Sequence, residues 1–168
     1  SQINTVKQGE KNVEASLYDL EKARNDVALN VVAGYLEVIF TRELLENAKF
    51  QLQSTQTQQE RTRILVDAGS APRADLLDLQ AQVASNEVNV INAENNVNLA
   101  VLRLKQFLQI PASEPFEIVV PEFEGLELEF VEETAEQVYG QAEKTMPEIK
   151  SADAKVESAV IGEKIAKA

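Results

Sequence analysis

From Asn12 to Val66 the chain has no proline and a single glycine, Gly34. That run constrains the fold more than any other feature. Small or apolar residues recur through it at three-and-four spacing: Leu17, Leu20, Val27, Val31, Gly34, Val38, then Leu45, Ala48 and Leu52. A second stripe lies beside the first, at Ala28, Val32, Tyr35 and Ile39. Two stripes predict one helix, from about 12 to 66, with neighbours on two sides. At about 1.5 Å per residue it would reach roughly 80 Å, too long for a compact domain. Past Leu52 the stretch Gln53–Arg63 is polar throughout. It reads either as a solvated face or as the lining of a wet passage, and the sequence leaves both open.

The run ends on Gly69, Ser70, Ala71 and Pro72, and a second periodic segment starts at once. Its apolar positions are Leu76, Leu79, Val83, Asn86, Val90, Ala93, Val97, Ala100, Leu104 and Phe107. Three and four alternate without a slip, as in a coiled-coil seam. Asn86 falls inside the seam, where a polar residue fixes register at some cost in stability. The helix is expected from about 72 to 108. A corner confined to 67–72 makes the two helices antiparallel neighbours. Gly69 suits the left-handed residue that ends a helix, Ser70 suits a cap, and Pro72 suits a first turn. Asp75 and Asp78 put negative charge near the positive end of the second helix.

After Ile110 the pattern changes. Pro111–Pro115 ends the helix, and Phe116–Val120 and Leu126–Phe130 read as short strands about a bend at Pro121–Gly125. A third helix is expected from about Glu132 to Thr145. Pro147 then opens a fourth that runs to Ala168 with no capping glycine. This last helix is expected to be truncated and the chain to be an excised or mature piece. The fold class is therefore mainly α: a long antiparallel coiled-coil hairpin over 1–110, a small α/β region over 111–145, and the start of a further long helix over 146–168.

Composition narrows the function. The net charge of −12 argues against binding nucleic acid through its phosphates. Ten glutamates and no lysine or arginine lie between Lys105 and Lys144, so that segment holds −10 of the −12. It reads as solubilising surface. There is no Cys and no His, which removes disulfides, thiolate metal sites and the usual general base. Glu132, Glu133 and Glu136 lack the glycine-containing loop of a calcium site. No phosphate loop, nucleophile elbow or metal motif occurs, so no catalytic residue, cofactor or metal is expected. The longest apolar cluster, Val27–Phe40, contains Asn30 and Glu37 and falls short of the roughly 20 residues that span a bilayer.

Three segments together carry a resemblance: "VVAGYLEVIF" from Val31, "LVDAGSAPRADLLDLQAQ" from Leu65, and "AEKTMPEIKSADAKVESAVIGEKIAKA" from Ala142. In their order and spacing the chain resembles the periplasmic portion of one repeat of a TolC-like outer-membrane efflux protein. The resemblance implies a homotrimer of two-repeat subunits whose hairpins form a hollow barrel. It implies that β-strands absent from this chain cross the outer membrane, and that 111–145 is the small region around the barrel. It implies a tip at Gly69, Ser70, Ala71, Pro72 and Arg73 that docks a periplasmic adaptor working with an inner-membrane pump. Asp75 would be a gating contact at that tip. Two positions depart from the pattern: Gly34, where Ala is commoner, and Ala74, where a hydroxyl residue occurs in relatives. Without the resemblance, Asp75 reads as a helix-dipole partner and Arg73 as a solvated tip residue. A periplasmic adaptor or a free-standing coiled-coil scaffold are the alternatives. An adaptor would flank its hairpin with Gly-rich β-domains, and a scaffold would not require the later helices.

Overall fold

The computed structural model describes residues 2–120 and 133–167. Four helices account for most of them: α1 (Gln2–Asp67), α2 (Arg73–Phe107), α3 (Ala135–Thr145) and α4 (Pro147–Ala166). None is long and apolar enough to cross a membrane. The chain divides into two compact units, Asn30–Pro121, and Ser1–Leu29 with Glu122–Ala168.

In the unit Asn30–Pro121, α1 and α2 run antiparallel. The pairs Glu37–Arg103 and Thr55–Asn86 are in direct contact, so the residue numbers fall on one helix as they rise on the other. Val38, Ala100 and Leu104 form a buried cluster, flanked by Val31, Tyr35, Val101, Phe116 and Ile118. On α2 the expected seam is the observed one. Asn86, Ala100 and Leu104 are buried, and Leu76, Leu79, Val83, Val90, Ala93 and Val97 are half-buried. Phe107 keeps 38% of its surface, with its ring against Gly34. A Cβ on Gly34 would sit 3.2 Å from Phe107 Cδ2, so the glycine makes room for the ring. The α1 seam continues past Leu52 through Thr55, Gln59, Thr62 and Val66, all buried or half-buried. The polar stretch Gln53–Arg63 is thus not uniformly solvated: every third or fourth residue turns inward.

Two expectations fail here. The first is the start of α1, which lies at Gln2 rather than near Asn12 and carries the helix through Gly9. An interior glycine costs about 1 kcal/mol, too little to stop a helix that is packed elsewhere. The second is the strand at Phe116–Val120, which is not formed; no strand occurs among the described residues, and the small α/β region is not supported. Phe116 and Ile118 do turn inward in alternation, onto the apolar cluster, and the Tyr35 hydroxyl donates to Val119 O at 2.7 Å. The alternation records burial against helices, not pairing with a neighbouring strand. Leu126–Phe130, the bend before it and the expected helix start at Glu132 lie outside the described residues.

In the other unit, α3 opens on a capping box. Gln137 N–H donates to Thr134 Oγ1 and Thr134 N–H donates to Gln137 Oε1. Met146 then ends α3 and precedes α4, with φ −65 and ψ 126. Pro147 holds its predecessor in that extended region and serves as a first helical residue. α4 packs on the N-terminal stretch of α1 through Ser151, Ala154 and Ser158, which meet Gln8, Asn12 and Asp19. Leu17, Leu20 and Val27, read as the start of the α1 seam, instead face solvent at 60%, 49% and 56% exposure.

Candidate functional site

The corner is built almost entirely by backbone hydrogen bonds. Gly69 N–H donates to Val66 O at 2.9 Å and Ser70 N–H donates to Leu65 O at 2.8 Å. This pair is the Schellman arrangement, which needs a left-handed residue at the position of Gly69. Its φ is +72, and a Cβ there would meet nothing within 4 Å. The glycine is therefore favoured by backbone conformation alone.

The chain then restarts. Pro72 is the residue before α2, at φ −68 and ψ 142, and no side chain caps that helix. The expected cap by Ser70 is not made: its backbone N–H closes α1, and its side chain is exposed. Pro72 lies just outside α2, and Arg73 is the first helical residue. Asp75 sits in the first turn, where the helix dipole favours a negative charge, and its N–H donates to Pro72 O at 3.2 Å. Gly69, Ser70, Pro72, Arg73 and Asp75 are exposed, and Ala71 is half-buried. Arg73 and Asp75 share the same end of one helix, and neither has an ion-pair partner among the described residues.

The helix leading into the corner is stiffened by charge. Arg63 donates through Nε and Nη2 to both carboxylate oxygens of Glu60, at 2.9 and 2.7 Å. Those bonds hold the Glu60 carboxyl below its usual range. Arg63 also lies 3.9 Å from Asp67, whose charge at the negative end of α1 would otherwise be unfavourable. Three aliphatic residues missed in the sequence flank the corner: Ile64, Leu65 and Leu77 are each at least half exposed, at 57%, 50% and 55%. The signal was present, since each falls between seam positions Thr62 and Val66 or Leu76 and Leu79.

The far end of the hairpin holds a residue that the seam pattern did not mark. Lys105 is 5% exposed and donates through Nζ to Ala112 O at 2.8 Å and Glu114 O at 2.6 Å. It ties the turn after α2 to the helix. Nearby, Arg103 Nη1 donates to both carboxylate oxygens of Glu37, at 2.6 and 2.9 Å, across the seam.

The arrangement presents a five-residue corner, exposed at all but the half-buried Ala71, with aliphatic flanks and a long two-helix support. Residues 2–108 match the outer membrane efflux protein family, a transport family. The matched stretch is α1, the corner and α2, ending at the residue that caps α2. No curated protein and no solved structure matches the chain. With almost two-thirds of its length inside that match, and the whole hairpin within it, the chain belongs to the outer membrane efflux protein family.

Proposed function

We propose that the chain forms part of the periplasmic wall of a trimeric outer-membrane efflux duct, with the Gly69–Arg73 corner as the surface that docks a periplasmic adaptor. The adaptor in turn couples the duct to an inner-membrane pump. In this reading 1–110 is the hairpin of the wall, 111–145 belongs to a band around it, and 146–168 begins the helix that returns along it.

One observation carries the reading. Each helix of the hairpin has an apolar stripe besides the seam it shares with its partner. On α1 the stripe is Leu36, Phe40, Phe50 and Ile64, at 53–72% exposure; on α2 it is Leu77, Val88, Ile91 and Leu99, at 55–59%. On α1, Leu36, Phe50 and Ile64 fall on one face at fourteen-residue steps, with polar Glu43 and Thr57 between them; on α2 the four residues recur at steps of eleven, three and eight. Scattered aliphatics on a surface need no explanation, but stripes along a rod mark contacts with further helices. A wall of helices standing side by side supplies such neighbours. The exposed Gln56, off that face, would then meet water in the duct.

Asp75 is the proposed gating contact, pairing with groups on a neighbouring hairpin. An exposed ion pair contributes under about 1 kcal/mol, so closure would use several such contacts and adaptor binding would shift the balance.

The test uses the full-length parent protein. Phe50→Glu with Ile91→Glu places charge in both stripes and leaves the inner seam untouched. Loss of the trimer in sedimentation, with helix content retained, is expected. A trimer of unchanged stability would refute the wall reading. Arg73→Cys carrying a photo-crosslinker should capture the adaptor, and failure to do so would remove the docking assignment.

A further inference from the structure

The contact between α4 and the N-terminal stretch of α1 is built unlike the hairpin seam. Its buried apolar residues are small: Ala15 and Ala154, with Pro147 at the start of α4. Beside them Ser151 and Ser158 are buried at 1% and 6% exposure. Both serines are used. Ser158 Oγ donates to Asn12 Oδ1 at 2.6 Å, and Ser151 Oγ donates to Asp19 Oδ1 at 2.6 Å. Gln8 Nε2 donates to Ser158 O at 3.4 Å, close enough that a Cβ on Gly162 would meet that amide at 2.8 Å.

Two ion pairs close the edges. Lys155 Nζ lies 2.8 Å from Asp19 Oδ2, and Lys11 Nζ lies 2.8 Å from Glu157 Oε2. Glu14 and Glu157 together hold the Lys11 ammonium well above the ordinary lysine range. Several larger aliphatics point elsewhere: Val13 and Leu17 on α1 are 61% and 60% exposed, and Val156 and Val160 on α4 are 63% and 45% exposed, while Ile161 and Ile165, at the far end of the same α4 face, are half-buried. The hairpin seam differs in having a larger apolar cluster, with Val38 and Leu104 fully buried, besides its Thr55–Asn86 layer.

We propose that the α1–α4 contact is a polar joint, held by hydrogen bonds and ion pairs, that ionic strength or charge reversal loosens while the α1–α2 hairpin stays closed. Apolar burial is insensitive to screening, whereas exposed ion pairs weaken as the Debye length falls from about 10 Å at 0.1 M salt to about 3 Å at 1 M. Small residues and serines permit close approach with little apolar area lost on separation, so the polar contacts carry a large share of what holds the two helices together. The joint rests on these contacts alone and does not depend on the duct assignment.

The test is hydrogen exchange on the full chain at about 0.05 M and about 1 M NaCl, read separately over α4 and over α2 from Leu76 to Leu104. Loss of two exposed ion pairs should speed α4 exchange roughly three- to tenfold and leave α2 unchanged. Lys11→Glu should reproduce the effect at low salt, and Lys11→Glu combined with Glu157→Lys should reverse it. Circular dichroism reports whether helix content is kept in each variant. Exchange in α4 that ignores both salt and Lys11→Glu overturns the proposal. So does a rise that α2 shares in equal measure, since that is unfolding of the whole chain.

Discussion

Asn86 donates its side-chain amide to Thr55 Oγ1 at 2.9 Å, inside the seam between α1 and α2. Thr55 is 3% exposed and Asn86 9%. The two residues are not equally dependent on each other, because the Thr55 hydroxyl also donates to Gln51 O at 2.9 Å. Replacing Asn86 with Leu leaves Thr55 with that bond. Replacing Thr55 with Val leaves the Asn86 amide buried without its acceptor. A buried polar group stripped of its partner costs about 1–3 kcal/mol, while loss of the bond with a well-packed replacement is near neutral. Thr55→Val is therefore expected to lower stability by about 1–3 kcal/mol, and Asn86→Leu by less than half as much, in urea unfolding of the chain. Equal losses would mean that the hydrogen bond does not set the energetics of this layer.

The two ends of the hairpin use the same backbone motif with different residues. At the end of α2, Gln109 N–H donates to Gln106 O and Ile110 N–H donates to Lys105 O, and Gln109 has φ 56. This repeats the geometry of Gly69, with a side chain where glycine is preferred. The left-handed conformation costs a non-glycine residue roughly 1–2 kcal/mol. Gly69→Ala should thus destabilise the chain by about 1 kcal/mol, with open space around the new Cβ excluding a steric cause. Gln109→Gly should stabilise it by up to about 1 kcal/mol. Thermal melts of both variants check the pair, and shifts of the same sign would refute the account.

What the sequence made legible follows from which faces are apolar. The α2 seam could be read because its partner buries aliphatic residues, from Leu76 to Leu104. The corner could be read because Gly69 is the one glycine between Gly34 and Gly125. The same rule misplaced Leu17, Leu20 and Val27. On that stretch α1 turns Gln8, Lys11, Ala15 and Tyr18 inward, because the opposing face of α4 is Ser151, Ala154 and Ser158. Hydrophobic periodicity finds apolar contacts and is silent about small, polar ones. The end of α2 carried no glycine to mark it, so the left-handed Gln109 was invisible. The alternation in Phe116–Val120 was real, but it reflects two side chains resting on helices, and a strand needs a neighbour as well as a pattern.

Lys105 acts as a clamp through two backbone carbonyls. Lys105→Met keeps the stem and removes the ammonium, leaving Ala112 O and Glu114 O without that donor. Hydrogen bonds to a charged group contribute about 1.5–3 kcal/mol each in favourable settings, and carbonyls that regain water recover part of it. The variant should lose about 1–3 kcal/mol and become more readily cleaved by protease within 111–115. An unchanged cleavage pattern would show that the turn holds itself.

Asp19 gives the α1–α4 contact a pH dependence. Lys155 and Ser151 hold its carboxyl below the usual range, and Lys22 on the same helix adds to the effect. A carboxyl with a lowered folded-state pKa contributes stability above its unfolded pKa of about 3.9 and loses it as pH falls through the lower folded value. Protection of the α4 amides, measured against their intrinsic exchange rates at each pH, should therefore fall below about pH 4, and Asp19→Asn should flatten that response. Since Asn keeps the hydrogen-bonding shape without the charge, an identical acid response in the variant would assign the effect to other carboxylates.

Asp75 separates a local role from a functional one. In the chain it lies in the first turn of α2, exposed, with its backbone N–H on Pro72 O. If the helix dipole were its whole purpose, Asp75→Ala would cost about 0.3–1 kcal/mol and change nothing else. As the gating contact of the proposed duct, the same substitution in the full-length parent should also raise the uptake of large polar antibiotics that a closed duct excludes. Asp75→Glu, which keeps the charge in the first turn on a longer side chain, should match the parent in stability and still leak more than it does, because a contact between hairpins depends on reach as well as sign. Parent-like exclusion in both variants would leave Asp75 as a helix-start residue and move the search for a gate to Arg73 and the aliphatic flank at Ile64, Leu65 and Leu77.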